Sequence, residues 1–288
     1  MINLHLTPKD SITESLNAYP INTLITLYLA KGIYKEKLHI YHHHLKIVGE
    51  NMSETIITYD DYSYKMHEDG LLYNTFRTST VTIFGDHVHL ENLTISNDAG
   101  SGFTIGQAVA LSLYGNHTVV HNCILNGHQD TLFIGPLPDD LVERYEGFLM
   151  PSQLHTRPLI HHFYQCVIKG DVDFIFGSGT AYFNSCHIIS TGKGFICAPS
   201  TKEDNPYGFV FYQSTIENRS SDEIILARPW RNHGSTIFID STFKGLISKD
   251  RYDTWDKPNL RFYETPYINS PLSKELSEEE KEQLIKQI

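Results

Sequence analysis

Short runs of β-branched and apolar residues recur along the chain, and Asn, Gly, Asp and Ser interrupt them. Clear examples lie at 81–84, 89–95, 118–125 and 235–239. No strong helical period of useful length occurs between residues 30 and 245. This pattern is typical of many short β-strands separated by turns.

A short box repeats inside these runs, with a polar residue first, a small or apolar residue next, and an apolar residue two places later. Its copies begin at Asn92, Asn122, Gln165, Ser185, Gln213 and Asp240. The starts are 30, 43, 20, 28 and 27 residues apart. A repeat of this length with one set of strands per repeat indicates a stacked solenoid. Since no helix pairs are visible, we predict an all-β fold, a single-stranded parallel β-helix with strands about 4.8 Å apart. An antiparallel sandwich is the competing interpretation, but its turns come closer together and more evenly.

The interval of 43 residues predicts one coil with an extra loop, which we place at 136–158. The loop follows Gln129 and Asp130 and precedes Asp173, so it is expected beside any site that these residues form. The tail at 272–288 is predicted to be helical, and Ser277 with Glu280 has the spacing of a capping box. Residues 1–288 are predicted to form one domain.

Composition and charge exclude several classes of protein and partner. Acidic residues outnumber basic ones by 34 to 23, and the net charge of −11 argues against nucleic acid as a partner. No apolar run is long enough to span a membrane, and the N-terminus lacks a secretory signal, so we expect a cytoplasmic protein, or an extracellular one if a leader has been removed. We also expect a monomer. Four cysteines do not make a disulfide scaffold, and sixteen histidines without ligand spacing predict no metal centre.

The repeat also places two acids together. Asp130 lies eight residues after the start of its box, and Asp173 lies eight residues after the start of the next. Equivalent positions on adjacent coils stack, so the two carboxyl groups should interact and the pKa of one should rise. Either aspartate alone would be interpreted as a turn residue. Together, with Gln129 beside one and Arg228 available, they predict an active site.

Seven segments resemble, in order, the signatures of the pectin methylesterase family. They lie at 32–36, 49–57, 97–100, 107–111 (Gln-Ala-Val-Ala-Leu), 127–132 (Gly-His-Gln-Asp-Thr-Leu), 170–177 (Gly-Asp-Val-Asp-Phe-Ile-Phe-Gly) and 227–230 (Ala-Arg-Pro-Trp). The resemblance covers residues from about 20 to 260. It implies a right-handed parallel β-helix that needs no cofactor and acts on pectin or methylated oligogalacturonides.

The resemblance also implies roles for five residues. Asp173 would be the nucleophile that attacks the C6 carbonyl of a methyl galacturonate unit. Asp130 would protonate the departing methanol and later take a proton from water. Gln107 and Gln129 would donate hydrogen bonds to the tetrahedral oxyanion, and Arg228 would hold Asp173 ionised.

Four further residues are expected to contact substrate: Trp230, Phe133, Thr104 and His128. His128 stands where an aromatic residue such as tyrosine is common in the family. Phe174 and Phe176 alternate away from Asp173 along the strand, so we expect them to pack in the core.

Other functions remain open on the residues alone. A glycosidase on the same scaffold would also use two acids, but the Asn-Thr-Asp-Gly string of polygalacturonases is absent from the sequence. A non-catalytic sugar-binding or structural solenoid would keep the boxes without needing both aspartates and Arg228. Cys123, Cys166 and Cys186 share one box position and should stack. Cys166 and Cys186 could form a disulfide in an oxidising compartment and would stay thiols in cytoplasm.

Overall fold

A computed structural model describes residues 1–266 and 270–288 and shows a parallel β-helix. The named strands pair in parallel with the equivalent strand of the next coil, and they form three long sheets. The predicted all-β solenoid is confirmed, and the sandwich is excluded.

Neighbouring strands within each sheet come from successive coils. The first sheet contains Ile2–Leu6, Ile25–Leu29, Lys46–Gly49, His89–Glu91, Thr118–His121, Ile160–Tyr164, Thr180–Asn184, Phe209–Tyr212, Ser235–Ile239 and Arg261–Thr265. The second contains Gly32–Lys35, Thr55–Tyr59, Thr94–Asn97, Ile124–Asn126, Val167–Gly170, His187–Ser190, Thr215–Asn218 and Thr242–Lys244. The third contains Leu38–Ile40, Val81–Ile83, Leu111–Leu113, Leu132–Ile134, Ile175–Gly177, Phe195–Pro199 and Ile225–Ala227.

The repeated box is the corner between the first and second sheets. All six of its opening polar residues have left-handed backbone, with φ between 47° and 55°. Asn and Asp adopt this conformation more readily than most residues, because their short polar side chains hydrogen-bond locally. Corner residues also stack, as where the Asn122 side chain donates a 2.6 Å hydrogen bond to Asn92 Oδ1. The sequence repeat is therefore a repeat of bends as much as of strands.

Columns of like side chains fill the interior of the solenoid. Phe163, Phe183, Phe211 and Phe238 stack on successive coils with ring centroids 4.7, 4.6 and 4.8 Å apart. Cys123, Cys166 and Cys186 follow in-register corners and form a second column, as predicted. All three are buried free thiols. Each coil of the β-helix therefore packs against the coil before it.

One short helix packs on the N-terminal coils of the solenoid, and another packs against the outer face of the first sheet. The first, α1 (Ile12–Asn17), is capped by Ser11, whose side chain accepts a hydrogen bond from the Glu14 amide. The tail contains Glu278–Ile285, which begins with the predicted capping box between Ser277 and Glu280. The structure contains no helix, within its described residues, with the length and apolar character to cross a membrane.

The predicted insertion leaves the third sheet after Leu132–Ile134 and returns to the first at Ile160–Tyr164. It contains a helix, Asp139–Arg144, and a 3-10 turn, Pro151–Gln153. Gly102–Ile105 is another short helix. The sequence shows no useful helical period in this region, because elements of six residues or fewer are too short to give one. Leu141, Tyr145 and Leu149 anchor the insertion in a buried cluster on the outside of the third sheet.

Candidate active site

Asp130 and Asp173 occupy equivalent positions on adjacent coils, as the box spacing predicted. Each lies two residues before a strand of the third sheet, and the register pairs Leu132 with Ile175. Both have left-handed backbone, with φ of 64° and 48°. The Asp173 amide donates a 2.8 Å hydrogen bond to the Phe195 carbonyl on the following coil. Stacking of coils thus brings the two carboxyl groups to one face.

Arg228 holds Asp173 by a two-pronged ion pair. Its Nε donates to Asp173 Oδ1 at 2.9 Å and its Nη2 to Oδ2 at 2.6 Å. The guanidinium lies between two aromatic rings, 3.8 Å from the ring centroids of Phe195 and Trp255. The two rings stack on the guanidinium group and hold its plane fixed. The two hydrogen bonds from this group in turn fix the orientation of the Asp173 carboxylate.

The two carboxyl groups have unequal electrostatic surroundings. Burial raises the pKa of Asp130 well above its usual value, and the charges of Asp173 and Asp171 raise it further against the opposing effect of Arg228. Burial also raises the pKa of Asp173, but the hydrogen bond and charge of Arg228 oppose this effect. In the described residues, the Asp130 carboxyl group has no side-chain hydrogen bond, whereas both oxygens of Asp173 accept from Arg228. Arg228 therefore favours the ionised form of Asp173, and Asp130 is the better placed of the two carboxyl groups to hold a proton.

Gln107 and Gln129 line the same cavity as the aspartates. The backbone of Gln107 is fixed by Ser63, whose Oγ accepts from the Gln107 amide at 3.0 Å. Gly102 packs so closely on Gln129 that a Cβ there would lie 2.6 Å from Gln129 Cβ. Among the residues described, neither side-chain amide makes a hydrogen bond to protein, so both remain available as donors to a ligand.

The cavity around these groups measures about 350 Å³ and is lined by both polar and aromatic side chains. Trp230 and Trp255, the two tryptophans of the chain, both line it. Its further lining residues include Phe76, Leu141, Arg144, Tyr145, Phe176 and Arg231. Leu141, Arg144 and Tyr145 belong to the insertion, which therefore borders the site. Aromatic faces beside hydrogen-bonding groups suit a sugar ring.

The predicted substrate contacts divide into two groups. Trp230 lines the cavity. Phe133 does not, because it is fully buried in the cluster that contains Leu141 and Tyr145 of the insertion. Its assignment as a sugar contact is therefore wrong, since the ring has no face open to solvent. Phe176 is buried in the same cluster, as expected, and it also borders the cavity.

Thr104 and His128 lie outside the cavity lining. Thr104 is exposed on Gly102–Ile105, and its hydroxyl donates a 3.0 Å hydrogen bond to the Ser101 carbonyl. His128 contacts Asp171 through Nδ1 at 3.1 Å, and this contact raises the pKa of the imidazole. Both remain predictions as substrate contacts.

Sequence reasoning missed Trp255, Tyr145 and Arg144. Trp255 could have been chosen as a candidate site residue, because it is one of only two tryptophans in the sequence. The repeat gives no such indication for Tyr145 and Arg144, because the insertion has no counterpart in it. In the described part of the chain, no group of three or more His, Cys, Asp or Glu side chains is placed to hold a metal ion.

Comparison with known proteins gives one consistent result. A family model described as Pectinesterase matches residues 7–136 and 152–278. The chain is 31% identical to the probable pectinesterase/pectinesterase inhibitor 6 of Arabidopsis thaliana over 257 residues, which are 85% of this chain and 41% of that protein. It is 29% identical to the pectinesterase QRT1 of the same plant, with 81% of this chain and 58% of that protein covered. The chain thus spans less than two thirds of the length of these relatives.

Solved structures agree with the fold. The pectin methylesterase PemA from Erwinia chrysanthemi superposes with a TM-score of 0.77 at 22% identity, with 98% of this chain and 95% of that chain covered. The pectin methylesterase from Yersinia enterocolitica gives 0.76 at 25% identity, with 94% and 95% covered. A pectin methylesterase solved with a bound hexasaccharide gives 0.76 at 24% identity, covering 98% and 95%. The predicted right-handed parallel β-helix is confirmed.

Proposed function

The chain belongs to the Pectinesterase family, and on that premise we propose that it hydrolyses methyl esters at C6 of galacturonate units in pectin or pectic oligosaccharides. One observation carries the proposal: two stacked aspartates border one cavity, and Arg228 forms a two-pronged ion pair with Asp173. Unequal surroundings of this kind divide two carboxyl groups between the roles of nucleophile and general acid. The hexasaccharide bound to a related enzyme supports a pectic substrate.

In the first step, the Asp173 carboxylate attacks the ester carbonyl carbon. The carbonyl oxygen gains negative charge, and the free amides of Gln107 and Gln129 donate hydrogen bonds to it. Protonated Asp130 gives its proton to the methoxy oxygen as the C–O bond breaks. Methanol leaves, and Asp173 is joined to the galacturonyl group as an anhydride. Without this proton the leaving group would be methoxide, which is a poor leaving group at neutral pH.

In the second step, Asp130 is a carboxylate and acts as a base. It takes a proton from a water molecule, whose oxygen attacks the galacturonyl carbon. The bond to Asp173 breaks, Asp130 is again protonated, and the product carboxylic acid releases its remaining proton to solvent and becomes a carboxylate. Arg228 binds the Asp173 carboxylate at the start and end of the cycle and stabilises it as a leaving group.

The test is methanol release from methyl-esterified pectin and from the trimethyl ester of trigalacturonate. We expect Asp173→Asn to lower kcat by about three orders of magnitude or more, because the variant has no nucleophile. Asp204→Asn, at an exposed aspartate outside the cavity lining, is the matched control and should keep wild-type activity. Circular dichroism and thermal melting establish that both variants fold.

Three results would contradict the proposal. Substantial methanol release by a folded Asp173→Asn variant would remove Asp173 as the nucleophile. New reducing ends without methanol would indicate a glycosidase, and no change in either substrate would leave a non-catalytic solenoid.

A further inference from the structure

A buried ion pair lies in the last coil of the solenoid. Arg251 Nε donates a hydrogen bond to Glu264 Oε1 at 2.8 Å, and Nη2 donates to Oε2 at 2.6 Å. The exposed fraction of Glu264 is 1% and that of Arg251 is 8%. In the described part of the chain, neither residue lines the active cavity. The proposed reaction therefore does not use these two charges directly.

Glu264 stands where the interior column of phenylalanine rings would continue. Phe238 is the last ring of that column, and the strand register pairs it with Glu264. Another apolar side chain could fill this position, and replacement of a buried ion pair by apolar residues often costs no stability. Arg251 also has left-handed backbone, with φ of 58°, which few residues other than Gly, Asn and Asp adopt readily. Stability alone therefore does not explain the pair.

The segment that carries Arg251 is bonded to the strand that precedes Arg228. The Arg251 carbonyl accepts a 2.7 Å hydrogen bond from the Leu226 amide, and the Asp253 amide donates to the Ala227 carbonyl at 3.1 Å. A parallel bridge continues the third sheet onto this segment. The position of Arg251 therefore bears directly on the backbone next to Arg228.

The same segment places Trp255 on the guanidinium of Arg228. Asp253 Oδ1 accepts a 2.6 Å hydrogen bond from the Trp255 amide, and the Trp255 ring centroid lies 3.8 Å from the guanidinium carbon. Arg228 in turn donates to both oxygens of Asp173. A continuous set of contacts therefore runs from the buried ion pair to the proposed nucleophile.

We propose that Arg251 and Glu264 are positioning residues for the esterase reaction, and that their ion pair sets the orientation of Arg228 toward Asp173. The inference rests on the proposed function. The pair fixes the segment that holds both the strand before Arg228 and the indole that packs on it. Because the guanidinium fork is planar, a small rotation would lengthen one of its two hydrogen bonds to the carboxylate. The last coil thus acts on the nucleophile without touching the substrate.

The test is the double variant Arg251→Met with Glu264→Leu, which replaces both charges by apolar side chains. Either change alone would leave a buried charge unpaired and strongly destabilise the fold. We expect kcat for methanol release to fall about tenfold or more and KM to change less than about twofold, because the substrate contacts are kept. The acidic limb of the kcat/KM profile should move to higher pH, since a misaligned Arg228 lowers the pKa of Asp173 less effectively.

Phe211→Leu is the matched control for lost stability, because Phe211 lies in the phenylalanine column two coils before Glu264. It should lower the melting temperature and leave kcat and the acidic limb at their wild-type values. A folded double variant with wild-type kcat and acidic limb would overturn the proposal. If the double variant does not fold, Arg251→Lys takes its place, since it keeps a charge opposite Glu264 without the fork. An unmoved acidic limb in that variant would likewise overturn the proposal.

Tryptophan fluorescence separates this proposal from the proposed function. In a Trp230→Phe background, Trp255 is the one remaining tryptophan, and its quenching by acrylamide needs no substrate. We expect the double variant to raise the quenching constant of Trp255 and Phe211→Leu to leave it unchanged. If quenching rises but wild type releases no methanol from any ester, the link between the ion pair and Arg228 stands and the esterase function fails. If methanol is released but the quenching is unchanged, the positioning role is wrong.

Discussion

Asp130 and Asp173 are the same residue type at equivalent positions on adjacent coils, and only their neighbours distinguish them. Arg228 reaches Asp173 with both prongs of its guanidinium, and none of its side-chain hydrogen bonds reaches Asp130. Burial favours the protonated form of a carboxyl group, and an ion pair with arginine favours the ionised form. In the proposed mechanism, the acid and nucleophile roles therefore follow from the position of a single arginine.

The first prediction at this scale concerns Arg228→Lys. We expect kcat to fall about a hundredfold although the charge is kept, because an ammonium group cannot orient both oxygens of Asp173 or stack between Phe195 and Trp255. Arg228 lowers the pKa of Asp173 against the effect of burial. A weaker partner lets that pKa rise, so the acidic limb of the kcat/KM profile should move to higher pH.

Arg231→Lys is the matched control, since Arg231 lines the same cavity but pairs with Asp140. Its acidic limb should not move. A wild-type kcat in Arg228→Lys would place Arg228 outside the reaction.

The second prediction is that Asp130→Asn stabilises the protein while it removes activity. The folded-state pKa of Asp130 is raised above the unfolded value, mainly by burial, so wild type loses stability as pH rises from the unfolded pKa toward the folded pKa. The variant side chain is neutral at every pH and carries no such cost. Its melting temperature should exceed that of wild type at neutral pH by a few degrees, and the gain should vanish below about pH 4.

Activity of Asp130→Asn should fall by roughly two to four orders of magnitude, the usual value of a general acid. Thermal unfolding between acidic and neutral pH measures the stability difference. A variant that is less stable than wild type at neutral pH would show that Asp130 is ionised and paired in the folded protein.

At the scale of secondary-structure elements, the insertion determines the shape of the site. Its helix Asp139–Arg144 is tied to the coil that carries Trp230 through the ion pair between Asp140 and Arg231. Its buried side chains cover Phe133, which would otherwise face outward from the third sheet. One segment outside the repeat thus converts part of an open sheet face into the side of a cavity.

The prediction for this element is a change in substrate length preference. We expect wild type to favour short methylated oligogalacturonides, because the insertion blocks part of the groove. Replacement of residues 138–156 by a short Gly-Ser link should raise kcat/KM on highly esterified polymeric pectin relative to the trimethyl trimer.

The replacement uncovers apolar surface, so it should also lower the melting temperature. Asp140→Asn, which loosens the helix without exposing that cluster, is the comparison variant and should shift the substrate ratio in the same direction by a smaller amount. An unchanged ratio in both variants would show that the insertion does not select for length.

At the scale of the whole molecule, the coils form one continuous interior in which sulfur atoms and phenyl rings stack in columns. All four cysteines are buried and free, and burial raises the pKa of the Cys123, Cys186 and Cys197 thiols. A buried protonated thiol is a poor nucleophile. These cysteines therefore contribute packing and not reactivity.

The corresponding prediction is made by thiol counting. The native protein should react negligibly with Ellman's reagent, and protein alkylated and unfolded directly after lysis should show all four thiols. Rapid reaction in the native state would mean that the coils open easily. Fewer than four thiols after unfolding would mean that two column neighbours, such as Cys166 and Cys186, are joined.

The sequence by itself determined the architecture and the stacking of Asp130 on Asp173. Each box ends a strand with a residue that tolerates left-handed backbone, so the bends recur at intervals that the sequence displays. Once the box positions are known, counting residues from the start of each box places Asp130 and Asp173 at equivalent positions on adjacent coils. The capping box at Ser277 is likewise a local feature and was predictable from its spacing. These features depend on neighbours that the repeat or the local sequence specifies.

The tertiary structure decided which side chains surround that pair. Phe133 is buried, Trp255 packs on Arg228 and Arg144 reaches the cavity because segments without a counterpart in the repeat fold back over the third sheet. Their paths depend on buried contacts with residues far away in sequence, such as that of Tyr145 with Phe76. A periodic pattern fixes register between coils, but it carries no information about where an aperiodic loop finds its partners.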